Sequence, residues 1–124
     1  MELKNQVVSL ELSKKLKDLW VEQNSLFYHD IKLEKVAWSG DIQSAPVDFK
    51  GRYYSAFTVA ELGEMLPQLV SSYRYEKWTC TMTNSSEMTT YTANTEADAR
   101  AKMLIYLLEN NLLKDRPRGT ALVN

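Results

Sequence analysis

The residues able to do chemistry are few, and their spacing limits what they can do. His29 is the sole histidine and Cys80 the sole cysteine. A zinc site would have to join these two to scattered carboxylates with no recognisable ligand spacing, so no metal is expected. His29 and Asp30 are adjacent, and neighbours on a strand point to opposite faces, which argues against an acid–base pair. His29 therefore reads as a structural or surface residue. Cys80 lies between Trp78 and Met82 in an alternating segment and reads as a buried, unactivated thiol. The carboxylates Glu11, Asp30, Glu34, Asp41, Asp48, Glu61, Glu64, Glu76 and Glu87 are dispersed, and no pair stands out for general acid–base work. Gly40, Gly51, Gly63 and Gly119 are isolated, so no loop is built to cradle a phosphate. The chain reads as non-enzymatic, with no cofactor.

Aromatic residues are the remaining feature. Tyr53, Tyr54, Tyr73, Tyr75, Trp78 and Tyr91 fall on expected strands. They either pack across strands or form an exposed face that binds a protein or stacks bases. Tyr53, Tyr54, Tyr73 and Tyr75 are the candidate binding residues. Tyr73 and Tyr75 share the strand face opposite Trp78, which places at least one aromatic set off the main core.

The elements that position these residues follow from periodicity. From Ser9 to Trp20, Leu12, Leu16, Leu19 and Trp20 recur on one helical face, with Lys14, Lys15, Lys17 and Asp18 opposite and Ser9 as N-cap. Leu26 to Tyr28 begins an extended stretch, and Ile31 to Trp38 alternates as a strand does. Ser39 to Pro46 has loop composition, and Arg52 to Phe57 is a short aromatic strand. Thr58 and Glu61 have the spacing of a capping box, with Phe57 and Leu62 placed as a hydrophobic staple. The helix that follows buries Val59, Leu62, Met65 and Leu66, and Pro67 ends it. Gly63 inside it costs about 1 kcal/mol relative to alanine. Tyr73 to Thr83 and Glu87 to Ala93 form a hairpin around Asn84-Ser85-Ser86, with Trp78, Cys80 and Met82 toward the core. Thr95 caps the last helix, and Glu96 and Asp98 favour its positive end. Ala97, Ala101, Leu104, Ile105, Leu108 and Leu112 share one face of it, and Asn110 or Asn111 closes it.

These elements make a single α+β domain over residues 1–124, a mainly antiparallel sheet with about three helices packed on it. Lys114 to Asn124 is expected to be a loose tail. A chain of 124 residues, 44% hydrophobic and 25% charged, supports a real core. The 15 basic and 16 acidic residues leave a net charge of −1, which does not favour a polyphosphate partner. No run approaches the ~20 apolar residues that cross a bilayer, and Met1 to Leu12 is not a signal peptide. A single cysteine suits a reducing cytoplasm.

Several segments carry a resemblance. SLELSKKLKDL at 9–19, SLFY at 25–28, YYSAFTVAELGEMLP at 53–67 and TEADARAKMLIYLLENNLL at 95–113 resemble a group of small proteins encoded by bacteriophages and prophages, notably of gut bacteria. Members often have glycine near the end of the first helix, where this chain has Trp20. The resemblance implies a phage or prophage setting in the bacterial host cytoplasm and transfers no catalytic residues. The expected function is a non-enzymatic module that binds a host or phage protein, one such role being interference with host defence. The alternative is nucleic-acid binding through the tyrosine strands and the Lys14, Lys15 and Lys17 face. The strand–strand–helix order is similar to the double-stranded RNA-binding domain, whose last helix starts with a basic cluster. Here that helix starts with Glu96 and Asp98. Self-association into a homo-oligomer stays open.

Overall fold

The computed structural model describes residues 2–41, 51–84 and 87–113. After a short 3-10 turn at Leu3–Asn5, the order is α1 (Leu10–Asp18), β1 (Phe27–Asp30), β2 (Lys35–Trp38), β3 (Tyr53–Ser55), α2 (Val59–Met65), β4 (Val70–Arg74), β5 (Trp78–Asn84), β6 (Glu87–Ala93) and α3 (Glu96–Glu109). The fold is α+β, and its strands form two antiparallel sheets, ordered β2-β1-β3 and β4-β5-β6.

Two expected strands each contain a turn instead: the first half of Ile31 to Trp38 is the turn between β1 and β2, and residues 75–77 form the turn between β4 and β5. Ile31 to Trp38 alternates but does not run straight. Asp30 Oδ1 accepts the backbone N–H groups of Lys32 and Leu33 at 3.0 and 3.3 Å, and Glu34 adopts φ 52°. That side-chain turn folds β2 back on β1, pairing Phe27 with Trp38 and Asp30 with Lys35. Likewise Tyr73 to Thr83 turns at Tyr75–Lys77, where the Tyr75 N–H reaches the Lys77 carbonyl at 3.1 Å. A five-residue strand, Val70–Arg74, then pairs with β5. The expected strand Glu87 to Ala93 is β6 with the same bounds. The connection at Ser85-Ser86 and the expected tail at 114–124 lie outside the described residues, as does most of the loop expected over 39–46.

Helix α3 is the centre of the molecule. The Thr95 hydroxyl accepts the Asp98 N–H at 3.2 Å, the N-cap expected from its position. Ala97, Ala101, Leu104, Ile105 and Leu108 are buried, and so are Ala99, Met103 and Leu107. One apolar stripe was expected, but two are needed: the helix packs on β4, β5 and β6 on one side and meets α1 and α2 on the other. Leu112 departs from the stripe and is 51% exposed. Asn111 at φ 53° ends the helix in a Schellman turn, with the Leu112 N–H donating to Leu107 O at 2.8 Å, and the chain leaves the core there.

Helix α1 ends in the same motif on a less suitable residue. The Val21 N–H donates to Leu16 O at 3.1 Å and the Trp20 N–H to Lys17 O at 3.0 Å, which sets Trp20 at φ 69°. This is the position at which glycine is the usual choice. Trp20 was expected on the buried face, but the left-handed turn swings it out and its side chain is 62% exposed. Ser9 precedes α1 without capping it through its hydroxyl, and its N–H donates instead to Asp98 Oδ1 at 2.8 Å.

The capping box of α2 is complete. The Glu61 N–H donates to Thr58 Oγ1 at 3.2 Å and the Thr58 N–H to Glu61 Oε1 at 2.9 Å. Glu61 Oε2 also accepts the Leu26 N–H at 3.1 Å, tying the helix to the entry of β1. Val8 adds a further tie on the side of the first sheet, its N–H donating to Phe57 O at 2.9 Å just after β3. None of the described helices is long and apolar enough to cross a membrane.

Candidate interaction surface

The side chains singled out for chemistry are held in structural roles. His29 Nε2 donates to the Val8 carbonyl at 2.6 Å, anchoring β1 to the N-terminal segment. Burial lowers the His29 pKa, against the opposing pull of the Val8 hydrogen bond and Asp98, so the ring is neutral near physiological pH. Asp30, buried beside it in sequence, has both oxygens occupied. Arg52 Nε and Nη2 donate to them at 3.0 and 3.1 Å, and this pairing foremost holds the carboxyl below its usual range. Cys80 is fully buried in β5, and desolvation pushes its thiol up to about 11. Among the described residues, no three His, Cys, Asp or Glu side chains gather to hold a metal ion.

A cleft of about 800 Å³ lies between the N-terminal 3-10 turn and the β1–β2 hairpin. Leu3, Leu10, Ile31 and Val36 give it apolar walls, and His29 and Asp30 are its inner polar residues. Its size suits a small ligand. Asp30 is already saturated, however, and one His29 nitrogen is taken by the backbone.

The acidic start of α3 is consumed internally. Glu96 accepts a hydrogen bond from Ser72 Oγ and lies 3.4 Å from Arg100 Nη2, while Arg100 Nε donates to Ser72 Oγ at 3.1 Å. The Arg100 guanidinium lies directly over Gly63. A Cβ placed there would sit 2.7 Å from Nη1. The helix-weakening glycine is therefore the space that lets this polar cluster close between α2, α3 and β4.

The four candidate tyrosines divide between the sheets. Tyr53 and Tyr54 are half-buried neighbours on β3, turned to opposite faces. Tyr53 meets Tyr28 edge-on with centroids 6.5 Å apart, and the Arg52 guanidinium lies 4.9 Å from its centroid. Tyr54 lies under two lysines of α1, with Lys17 Nζ 4.8 Å and Lys14 Nζ 5.7 Å from the ring centroid. Tyr73 belongs to β4 of the other sheet and Tyr75 to the turn that follows it, and they are 53% and 84% exposed. Tyr91 turns inward, its ring 5.8 Å from that of Tyr106.

Tyr73 lies on the face opposite Trp78, as its strand position predicts, and that face is lined mostly by threonines. Side chains directly opposite in an antiparallel ladder share a face. Tyr73 pairs with Thr79 and Thr79 with Thr92; Ser71 pairs with Thr81 and Thr81 with Thr90; Thr83 pairs with Met88. Ser71, Tyr73, Thr79, Thr81, Thr83, Met88, Thr90 and Thr92 therefore form one surface with no charged residue among these strand positions, bordered at the hairpin end by Lys77 opposite Tyr75. Cys80, Met82 and Tyr91 face the other way, into the α3 core. Thr81 and Thr90 hydroxyls lie 3.3 Å apart, and Met88 is 68% exposed. The signal for this face was the spacing Thr79-x-Thr81-x-Thr83 and Thr90-x-Thr92, which marks one side of two adjacent strands.

The chain matches no family model, no curated protein and no solved structure in comparisons with known proteins.

Proposed function

We propose that the chain is a non-enzymatic protein-interaction module that binds a host or phage protein in the cytoplasm of a bacterium, with interference in host defence as one such role. The observation that carries this reading is the uncharged outer face of β4-β5-β6. A solvated sheet face ordinarily alternates polar and charged residues, whereas depletion of charge and enrichment in tyrosine and methionine distinguish the centre of protein interfaces. Here hydroxyls and methyls form a flat field with Tyr73 and Met88 standing out of it and Tyr75 at the adjoining hairpin tip. Affinity capture from an infected or lysogenic host tests this. A stoichiometric partner recovered by the wild type and lost from the Tyr73→Lys/Thr83→Lys variant supports the reading. A partner retained by that variant removes the face from it.

A second reading has one observation in its favour. Lys14, Lys17 and Tyr54 converge, as nucleic-acid binding through the lysine face of α1 requires. Against it stand the net charge of −1 and the separation of Tyr54 from Tyr73 and Tyr75. Fluorescence anisotropy with short single- and double-stranded oligonucleotides at low salt decides it. Binding that falls steeply with salt and disappears in Lys14→Glu/Lys17→Glu would favour it; flat titrations would remove it.

A further inference from the structure

We propose that the chain forms a two-fold dimer by antiparallel pairing of β6 with β6 of a second copy. This goes beyond the proposed function, since it concerns the edge of the sheet and not what docks on its face.

Among the described residues β6 is an edge strand, and its own sequence lacks the usual protection. Natural edges are blunted by proline, an internal lysine, a bulge or shortness. The sequence Glu87-Met88-Thr89-Thr90-Tyr91-Thr92-Ala93 has no proline or lysine, and its seven residues pair one for one with β5 without a bulge. The opposite edge, β4, has five residues, closely follows Pro67 and ends on Arg74.

The hydrogen-bonding groups on the free side can be assigned. Lys102 Nζ, on α3, donates to the Thr92 carbonyl at 2.8 Å, so that carbonyl is directed away from β5. Residues alternate along an antiparallel ladder, and the N–H and C=O of Met88, Thr90 and Thr92 therefore face the free edge. A second copy must set outward residues against outward residues. An axis through Thr90 does this for all three, placing Met88 opposite Thr92 of the second copy and Thr90 opposite Thr90. An axis through Thr89 or Tyr91 aligns only two.

The charges agree with this register. Glu87 falls opposite Ala93 of the second copy, so no like charges meet across the axis. Glu87 shares the sheet face of Met82 and Cys80, the face on which α3 packs. Lys102 already reaches from α3 to the strand edge at Thr92, one residue from Ala93. Pairing frees its ammonium from the Thr92 carbonyl and brings Glu87 of the other copy to it, twice by symmetry. The assembly is a six-stranded sheet whose uncharged face runs unbroken across both copies. A single strand pair lies at the small end of specific interfaces, so the dimer is concentration-dependent.

Sedimentation equilibrium of the full chain over a concentration series, with hydrogen exchange, tests the proposal. The expected result is a monomer–dimer equilibrium in which the Met88, Thr90 and Thr92 amides gain protection as concentration rises. The Thr89 and Tyr91 amides, already inside the sheet, should not change. Thr90→Pro removes an N–H that no bond among the described residues uses, and should leave a folded monomer by circular dichroism. Lys102→Glu should weaken the dimer about tenfold at low salt, and Glu87→Lys/Lys102→Glu should restore it. Should Thr90→Pro fail to fold, the charge swap decides alone. A chain monomeric at every concentration overturns the proposal, and so does a dimer indifferent to the charge swap.

Discussion

The two sheets have three strands each and opposite means of support. The β4-β5-β6 sheet lays Cys80, Met82 and Tyr91 on α3, and its order comes from apolar burial against one long helix. The β2-β1-β3 sheet has little of that helix. It is tied by polar contacts: Asp30 with Arg52 and two backbone amides, His29 with Val8, Tyr28 Oη donating to Gln23 O at 3.1 Å, and the Ser55 N–H donating to Gln23 Oε1 at 2.8 Å. Apolar packing is non-directional and tolerates an uncharged, uncovered outer face. Polar ties are directional and leave few groups free to serve a ligand. For that reason the proposed interaction surface is placed on the second sheet.

The largest effect should come from breaking the apolar support. Leu104→Ala removes a fully buried side chain from the middle of α3 and should cost about 3 kcal/mol, read from urea denaturation. Native-state hydrogen exchange should show β5 and β6 losing most of their protection. Loss confined to β1–β3 would reverse the comparison.

Next, pH should separate the sheets by sign. Asp30 and His29 both have lowered pKa values in the fold. Their contribution is present above their unfolded values, near 3.9 and 6.5, and is lost as pH falls through each folded value. The first sheet should weaken in acid in two steps, His29 and then Asp30. Cys80 is raised from 9.0 to about 11, so its contribution is present below 9.0 and lost as pH rises between those values. Tyr91 is also raised, chiefly by desolvation, and acts in the same direction. Hydrogen exchange on either side of neutrality measures this, and acid loss spread equally over both sheets would contradict it.

Two smaller effects sharpen the boundary between the regions. Trp20→Gly relieves a left-handed conformation at the end of α1, where the chain leaves for the first sheet, and should stabilise the protein by about 1 kcal/mol. No gain in thermal denaturation would mean that the Trp20 ring has packing worth as much. Gly63→Ala should be close to neutral in the wild type, because the helix gain of about 1 kcal/mol is offset by displacing Arg100 from Ser72 and Glu96. In an Arg100→Ala background the same change should return the full gain. Equal values in both backgrounds would show that Arg100 simply moves aside.

Much of the framework was legible because it depends on short-range physics. The Thr58–Glu61 capping box, the Thr95 cap, the bounds of β6 and the inward Trp78–Cys80–Met82 face each follow from residues within a few positions of one another. The errors came where a distant or side-chain partner overrode the pattern. Ile31 to Trp38 alternates well enough for one strand, but Asp30 offers its own turn a carboxylate and Arg52, 22 positions on, fixes that carboxylate. The threonine face was written in the sequence as an alternation, but whether it met helix or solvent depended on which side of the sheet α3 took.

Local sequence thus determined the caps, the helix stripes and the periodicities, because hydrogen bonds within a turn and the pitch of a helix need no other part of the chain. Tertiary structure alone decided that there are two sheets, that Gly63 is room for Arg100, and that the tyrosines are split between two surfaces. Those outcomes turn on contacts between residues 20 to 90 positions apart, whose geometry exists only once α3 has collected the chain around itself.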